Sequence, residues 1–289
     1  MYDELLLPYD GSDGAATALY HAAEIAHWAD ATIRLLFVAD TTRHSVTTTE
    51  TGVVDALVTK GERVLEDAEK TLDTLGLDAR TDVVQGNPAP TIAEYAGRFE
   101  YDVIVMPTHG REGVSRHILG SVTEKVVRLS SVPVLTVRMA PDEQLVFPYE
   151  HILLPTDGSD AAMHAVDHGL ALAKSIDATA HVLSVVEENG LLSSVAGLEF
   201  DDEDESGAQT TVDEVAALAS ERGVSNVVRH VKRGDPTEAI LDVVDAETIH
   251  AVVMGTTGRR GSDRIRLGSV AERTVRTAPV PVMTLAHDS

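Results

Sequence analysis

Short apolar segments alternate with amphipathic segments along the first half of the chain. The apolar segments are 5–8, 33–38, 81–84, 103–106 and 134–137. They are short and nearly free of polar residues, which is typical of strands covered on both faces. Between them, apolar residues recur at helical spacing at Leu19, Ala22, Ala26 and Ala29, and again at Ile118, Val122, Val126 and Leu129. The alternation predicts an α/β fold with a doubly wound parallel sheet of about five strands.

The same unit occurs twice in the chain. Residues 5–13 recur at 152–160, and 86–88 recur at 234–236 as Gly-x-Pro. Val132-Pro133-Val134 recurs as Val280-Pro281-Val282, so the offset is 147 or 148 residues throughout. One sustained offset indicates tandem duplication. We predict two domains, 1–140 and 150–289, joined by a linker at 141–149. Because proline cannot donate to a ladder, the last strand of each copy is expected at an edge.

Composition excludes several classes of protein. The chain has no cysteine and no apolar run near the roughly 18 residues needed to cross a bilayer, and its first residues lack the basic start of a signal peptide. We therefore expect a cytoplasmic protein. Its formal net charge of −24 makes nucleic acid and anionic membranes poor partners. The acid-rich, lysine-poor composition also suggests a halophilic host, because concentrated salt screens such self-repulsion.

Two loops in each copy should meet at the carboxyl edge of the parallel sheet, where open α/β folds bind ligands. The first follows strand one and reads Pro-x-Asp-Gly-Ser in both copies. The second follows strand four, and in copy two it reads Gly-x2-Gly-x9-Gly-Ser. Glycines let backbone N–H groups approach phosphate oxygens, and each Gly-Ser should open a helix whose N-terminus favours an anion.

Each of these residues also has a purely structural interpretation. Ser121 and Ser269 begin Ser-x-x-Glu capping boxes, so their hydroxyls would cap the following helix. Asp10 and Asp157 can accept from a ribose hydroxyl or an adenine amino group, or they can hold the turn before the next helix. The valines that end strand two are, by sequence alone, indistinguishable from core.

The combination of the Pro-x-Asp-Gly-Ser loop, the glycine pattern and the Val-Pro-Val strand resembles the universal stress protein family over both halves. The resemblance implies an adenine nucleotide alpha-hydrolase-like fold with strand order 3-2-1-4-5, and pairing of the two copies as an intrachain pseudo-dimer. It also implies binding of ATP, or of AMP or ADP in its place, with Mg²⁺ held through the phosphates. Bound nucleotide would then regulate protein partners, which the sequence does not identify. Assembly into a homodimer is also open.

In the family's ATP-binding branch, the aspartate and the end of strand two meet the adenosine, while the glycine loop and its serine hold the phosphates. The resemblance implies that the nucleotide-binding residues of copy two are Pro155, Thr156, Asp157, Val185, Met254, Gly255, Gly258, Arg259, Gly268, Ser269 and Val270. Those of copy one are Pro8, Tyr9, Asp10, Val38, Met106, Gly110, Arg111, Gly120, Ser121, Val122 and Thr123.

Copy one departs from the pattern at Pro107, which replaces the first glycine. Proline has no N–H and adds a ring where backbone should approach the ligand, so copy two is expected to bind nucleotide better. The expected role is regulatory, with no catalytic residues. The alternatives are a slow Mg²⁺-dependent nucleotide phosphohydrolase, for which Asp10 and Asp157 are the candidates, and a protein-interaction module that binds no nucleotide.

Two other features of the sequence have simple structural interpretations. Residues 202–207 with Asp213 partly match an EF-hand calcium loop, but Gln209 and Asp213 depart from its pattern. We interpret this stretch as an exposed acidic loop before a helix that begins near Thr211. The twelve histidines show no ligand spacing, and His109 in the glycine loop has no counterpart in copy two, so we expect a solvated side chain there.

Overall fold

The computed structural model describes residues 1–41, 50–109, 119–138, 145–187, 202–258 and 267–287, with the side chains of 50–55 and 202–204 outside that description. The chain divides into two compact units. Unit 1 is Met1–Pro148 and unit 2 is Tyr149–His287.

Unit 1 alternates strands and helices from its first element to its last. The elements are β1 (Glu4–Pro8), α1 (Asp13–Ala29), β2 (Thr32–Asp40), α2 (Glu50–Thr74), β3 (Ala79–Gly86), α3 (Pro88–Arg98), β4 (Val103–Pro107), α4 (Ser121–Leu129) and β5 (Val134–Val137). The five strands are parallel and lie in the order β3-β2-β1-β4-β5. Each strand predicted from the apolar pattern is present, extended by up to two residues at either end.

Unit 2 repeats this organisation. Its elements are β6 (His151–Pro155), α5 (Asp160–Ser175), β7 (Thr179–Val186), α6 (Asp202–Arg222), β8 (Val227–Arg233), α7 (Pro236–Ala246), β9 (Ala251–Gly255), α8 (Ser269–Thr277) and β10 (Val282–Leu285). The strands are parallel in the order β8-β7-β6-β9-β10. Both units therefore have the predicted 3-2-1-4-5 order, and the α/β prediction is confirmed.

The core of each unit includes the central strand and the helix that follows it. Leu5, Leu6 and Leu7 of β1 are fully buried, as expected for a strand covered on both faces. The alanine face of α1 lets the helix approach the sheet closely. In unit 2 the helix also lies close to the sheet, because at Gly169 of α5 a Cβ atom would lie 2.3 Å from Cδ2 of Leu154.

Polar residues fix where the helices begin. Ser12 and Ser159 are the N-caps of α1 and α5, and their hydroxyls accept from the amides of Ala15 and Ala162. Asp235 caps α7 by accepting from two backbone amides, with Pro236 in the first turn. These caps set the ends of the loops that leave the carboxyl edge of each sheet.

The acidic stretch of copy two is helical, which corrects the expectation of a loop. Helix α6 begins at Asp202, so residues 202–207 and Asp213 belong to one helix. An EF-hand loop wraps its ligands around the ion, whereas a helix spreads them along its axis, so the calcium interpretation is wrong. Acidic residues in a first turn are stabilised by the helix dipole. In the parts of the chain that the structure describes, no helix is long and apolar enough to span a membrane.

Candidate functional site

The first loop of each unit turns sharply beyond the central strand. In unit 1 the Asp10 Oδ1 atom accepts from the Ser12 amide at 2.9 Å. In unit 2 the Asp157 Oδ1 atom accepts from the Ser159 amide at 3.0 Å and from its hydroxyl at 2.6 Å. Gly158 between them has φ +75°, a conformation that favours glycine. One carboxylate oxygen of each aspartate therefore holds the turn, as the structural interpretation predicted.

The second loop of each unit is closed by a hydrogen bond between its two ends. The Gly120 amide donates to the Thr108 carbonyl at 2.7 Å, and the Gly268 amide donates to the Thr256 carbonyl at 2.7 Å. A Cβ atom on Gly120 would lie 2.9 Å from that carbonyl oxygen, and one on Gly268 would lie 3.1 Å from its partner. These two glycines are required by loop closure, and their own N–H groups are used in it.

Helices α4 and α8 begin directly after the closure, as predicted, but their serines are not caps. The N-cap residues are Gly120 and Gly268, which have extended backbone and no side chain, and Ser121 and Ser269 stand one position later. The capping-box prediction is therefore wrong. Both serine side chains are exposed. The first turn of each helix presents N–H groups that have no intrahelical acceptor, next to an exposed hydroxyl, and this arrangement suits an anion.

The two loops of unit 2 meet at the aspartate. A Cβ atom on Gly258 would lie 2.7 Å from the Asp157 Oδ2 atom, so the bare backbone of the second loop passes beside that carboxylate. Glycine is the one residue that allows this approach without displacing Asp157. The sequence prediction that the loops after strands one and four share one edge is thus observed as a direct contact.

The structure changes the interpretation of Pro107. Its ring is buried beneath α1, and a Cβ atom on Gly14 of that helix would lie 3.1 Å from the Pro107 Cβ atom. The corresponding Gly255 packs against α5, where a Cβ atom would lie 2.9 Å from the Ala161 carbonyl oxygen. Gly14 in unit 1 is equivalent to Ala161 in unit 2. The contact between helix and strand is therefore Gly14 with Pro107 in unit 1 and Ala161 with Gly255 in unit 2, so each unit has one glycine in it. The expected intrusion of the proline ring toward a ligand is wrong, and the loss of one N–H is what remains of the difference.

The other predicted site residues separate by exposure. Val38 and Val185 lie near the ends of β2 and β7 and are partly exposed, which distinguishes them from core. Met106 and Met254 are buried. The Thr123 hydroxyl is buried and donates to the Pro107 carbonyl at 2.8 Å, so this side chain is used inside unit 1.

The remaining predicted positions fall into two groups. Those at the carboxyl edge are Pro8, Tyr9, Pro155, Thr156, Val122 and Val270, of which Pro8 and Thr156 are buried and the others partly exposed. Gly110, Arg111 and Arg259 lie outside the described residues.

Sequence reasoning misjudged one of two side chains beside the loops. His109 is half-buried, with Nδ1 2.9 Å from the Thr108 hydroxyl, and its pKa is lowered by burial and by the charge of Arg138. It is therefore not the solvated side chain expected. Tyr9 lies beside Asp10, and burial followed by that carboxylate raises the pKa of its hydroxyl. No group of three or more histidine and acidic residues is placed to hold a metal ion within the described ranges.

Comparison with known proteins gives the family. The profile described as the universal stress protein family matches residues 1–138 and again 148–285. The chain belongs to the universal stress protein family. A universal stress protein of Methanocaldococcus jannaschii is 32% identical over 146 residues, covering 50% of this chain and 86% of that protein. One from Mycolicibacterium smegmatis is 26% identical over 244 residues, covering 81% of this chain and 79% of its own.

A solved structure shows that this universal stress protein has its family's fold in both units. The crystal structure of a universal stress protein from Archaeoglobus fulgidus superposes with a TM-score of 0.75 at 24% identity, covering 99% of this chain and 98% of that one. The chain is therefore a tandem member with the adenine nucleotide alpha-hydrolase-like fold.

Proposed function

We propose that this universal stress protein is a cytoplasmic regulatory module that binds ATP, with the better site in unit 2. The observation that supports it most strongly is the meeting of Asp157 and the bare backbone of Gly258, beside the exposed N-terminus of α8. A carboxylate and a helix N-terminus at one edge suit the two ends of a nucleotide, because the carboxylate accepts from hydroxyls and the amides donate to phosphate.

The described residues fit the parts of an adenine nucleotide. The backbone amides of Ser269 and Val270 and the Ser269 hydroxyl are donors for phosphate oxygens at the start of α8. The partly exposed Val185 offers an apolar surface for the base at the end of β7. With a net charge of −24 the protein repels a nucleotide at long range, so Mg²⁺ carried on the phosphates is part of the proposal.

The proposed action is regulation by bound nucleotide and not turnover. Asp10 and Asp157 each use an oxygen to hold the first loop, an arrangement suited to orienting a ligand. A nucleotide that contacts both loops would favour the conformation in which they lie together, and that population shift would be read by a protein partner. Release of phosphate from ATP over hours, measured at equal protein and nucleotide concentrations, would instead favour the hydrolase alternative.

The test places a negative charge where the phosphates are proposed to lie. In Ser269→Asp the carboxylate is favourable for helix α8, because it stands in the first turn, but it repels phosphate. Ser121→Asp is the matched variant in unit 1. Titration with Mg-ATP by calorimetry should show at least tenfold weaker binding at the better site in Ser269→Asp and no change at that site in Ser121→Asp. Equal binding by both variants and the unaltered chain would refute the proposed site.

A further inference from the structure

Histidines far apart in sequence come together on the unit 2 sheet, between the start of β6 and the middle of β8. His151 begins β6, His181 lies in β7, His230 lies in β8, and His250 directly precedes β9. The Nδ1 atom of His151 is 2.9 Å from Nε2 of His181, and Nδ1 of His181 is 3.1 Å from Nε2 of His230. We call His151, His181 and His230 the histidine chain.

The register of the sheet places these three rings on one face. Leu153 of β6 is opposite His181, and Leu183 of β7 is opposite His230. His151 is two residues from Leu153, and His181 is two residues from Leu183. Because side chains two residues apart on a strand point to the same side, all three rings lie on one face of the sheet. The rings of His181 and His230 stack at 5.3 Å between centroids, with 10° between their planes. The fold therefore fixes the chain in a defined geometry.

Unit 1 has fixed charges at the same four positions. The offsets of 147 and 148 residues relate His151, His181, His230 and His250 to Glu4, Arg34, Asp82 and Asp102. Arg34 and Asp82 form an ion pair at 2.7 Å in place of the contact between His181 and His230.

The fourth position has the same structural role in both units. In unit 1 the Asp102 Oδ2 atom accepts from the amides of Asp3 and Glu4. In unit 2 the Nδ1 atom of His250 accepts from the corresponding amides of Glu150 and His151, at 2.9 and 3.3 Å. Unit 2 thus has histidines at the positions where unit 1 has carboxylates and a guanidinium that stay charged near neutral pH.

Counting protons shows what the histidine chain can hold. Each of its two contacts needs one proton between the facing nitrogens, because a neutral ring offers one donor and one acceptor. One extra proton can sit on an outward nitrogen, or move along the chain, with both hydrogen bonds kept. A second extra proton puts hydrogens on both sides of one contact. That contact must then open, and two of the three rings would be positively charged.

The surroundings disfavour protonation. Burial, then the neighbouring rings of His230 and His151, lowers the pKa of His181 to about 4, against the opposing charge of Glu247 at the end of α7. Burial likewise lowers the pKa of His230, where Glu247 raises it and Lys232 of β8 lowers it further.

His250, next to the chain, responds in the same direction. Burial lowers its pKa, the charge of Glu150 opposes that effect, and His151 adds to it. The folded unit therefore binds fewer protons than the unfolded chain once the pH falls below the ordinary histidine value of about 6.5. A depressed pKa contributes stability that is complete above that value and is lost progressively as the pH falls toward about 4.

We propose that the histidine chain is an acid sensor built into unit 2, which loosens the β7–β8 side of that unit at mildly acid pH while the ion-paired side of unit 1 stays closed. The proposal does not depend on nucleotide binding, since none of these three histidines is among the candidate nucleotide-site residues. The device adds a second input to the protein, one that acts on one copy alone.

The test is amide hydrogen exchange of the full chain followed by mass spectrometry, corrected for the intrinsic effect of pH on exchange. Between pH 7 and pH 5 the protection of β7 and β8 peptides should fall at least tenfold more than that of β2 and β3 peptides, because each proton taken up on opening contributes up to tenfold per pH unit. Equal losses in both units would overturn the proposal.

Variants assign the effect to the histidine chain. The double substitution His181→Arg with His230→Asp installs the ion pair of unit 1 and should remove most of the extra pH dependence. His230→Gln, which cannot titrate, should reduce it even if the double variant folds poorly. His164→Gln changes an exposed histidine of α5 and should leave the profile unaltered. An undiminished pH dependence in His230→Gln, or one abolished by a chelator, would contradict the assignment.

Discussion

Gly255 and Gly258 lie in the same pattern, yet the structure gives them different roles that substitution can separate. In Gly255→Ala the new Cβ would lie 2.9 Å from the Ala161 carbonyl oxygen and 3.1 Å from its carbon. Both atoms are backbone, so the first turn of α5 must shift. Overpacking of this kind costs about 1–3 kcal/mol. We expect unit 2 to be destabilised by that amount, with Mg-ATP affinity nearly unchanged where the unit remains folded.

Gly258→Ala should behave in the opposite way. Its Cβ would lie 2.7 Å from the Asp157 Oδ2 atom, the end of a side chain that can rotate away. Stability should change by less than about 0.5 kcal/mol, as for most surface substitutions. Displacement of the carboxylate should weaken Mg-ATP binding about tenfold, because a hydrogen bond to a charged group contributes roughly 1.5–3 kcal/mol.

The assay can follow the two units separately. The chain has one tryptophan, Trp28 of α1, so its fluorescence reports urea unfolding of unit 1, while circular dichroism reports both units. Neither variant should move the fluorescence transition, which serves as the internal control. If Gly255→Ala keeps full stability in unit 2 but loses nucleotide affinity, the glycine serves the ligand and the packing argument is wrong.

The remaining predictions concern the helix starts. Ser12→Ala should lower the stability of unit 1, seen in the Trp28 transition, and Ser159→Ala should lower that of unit 2, each by about 1 kcal/mol, because each removes an N-cap hydrogen bond. Ser121→Ala and Ser269→Ala should change stability by less than about 0.5 kcal/mol, since these serines stand one position past the N-cap. A loss near 1 kcal/mol in the latter pair would restore the capping-box interpretation.

Most of the fold follows from local sequence signals. Strands buried on both faces read as short apolar runs, and the offset of 147 or 148 residues carried every assignment from one copy to the other. The candidate site was predictable as far as the meeting of its loops, because parallel strands must end at one edge. The same signals could not show that Gly120 and Gly268 displace the serines as N-caps, since that depends on the loop-closing hydrogen bond.

The features that the sequence did not predict depend on contacts between residues far apart in the chain. The burial of Pro107 against Gly14 involves positions 93 apart. From the sequence alone, a proline in a glycine pattern predicts only that its ring obstructs the ligand. The four clustered histidines span 100 residues and have no ligand spacing, because strand register, and not sequence distance, brings them together. Comparison of the two copies position by position is the signal that would have found them, since unit 1 has charged residues at all four places.

Native mass spectrometry of the purified, undialysed full chain tests nucleotide binding most directly. The account predicts a species heavier by one adenine nucleotide, with occupancy that Ser269→Asp removes and Ser121→Asp keeps. A chain that carries no nucleotide and takes none up when Mg-ATP is added would contradict it.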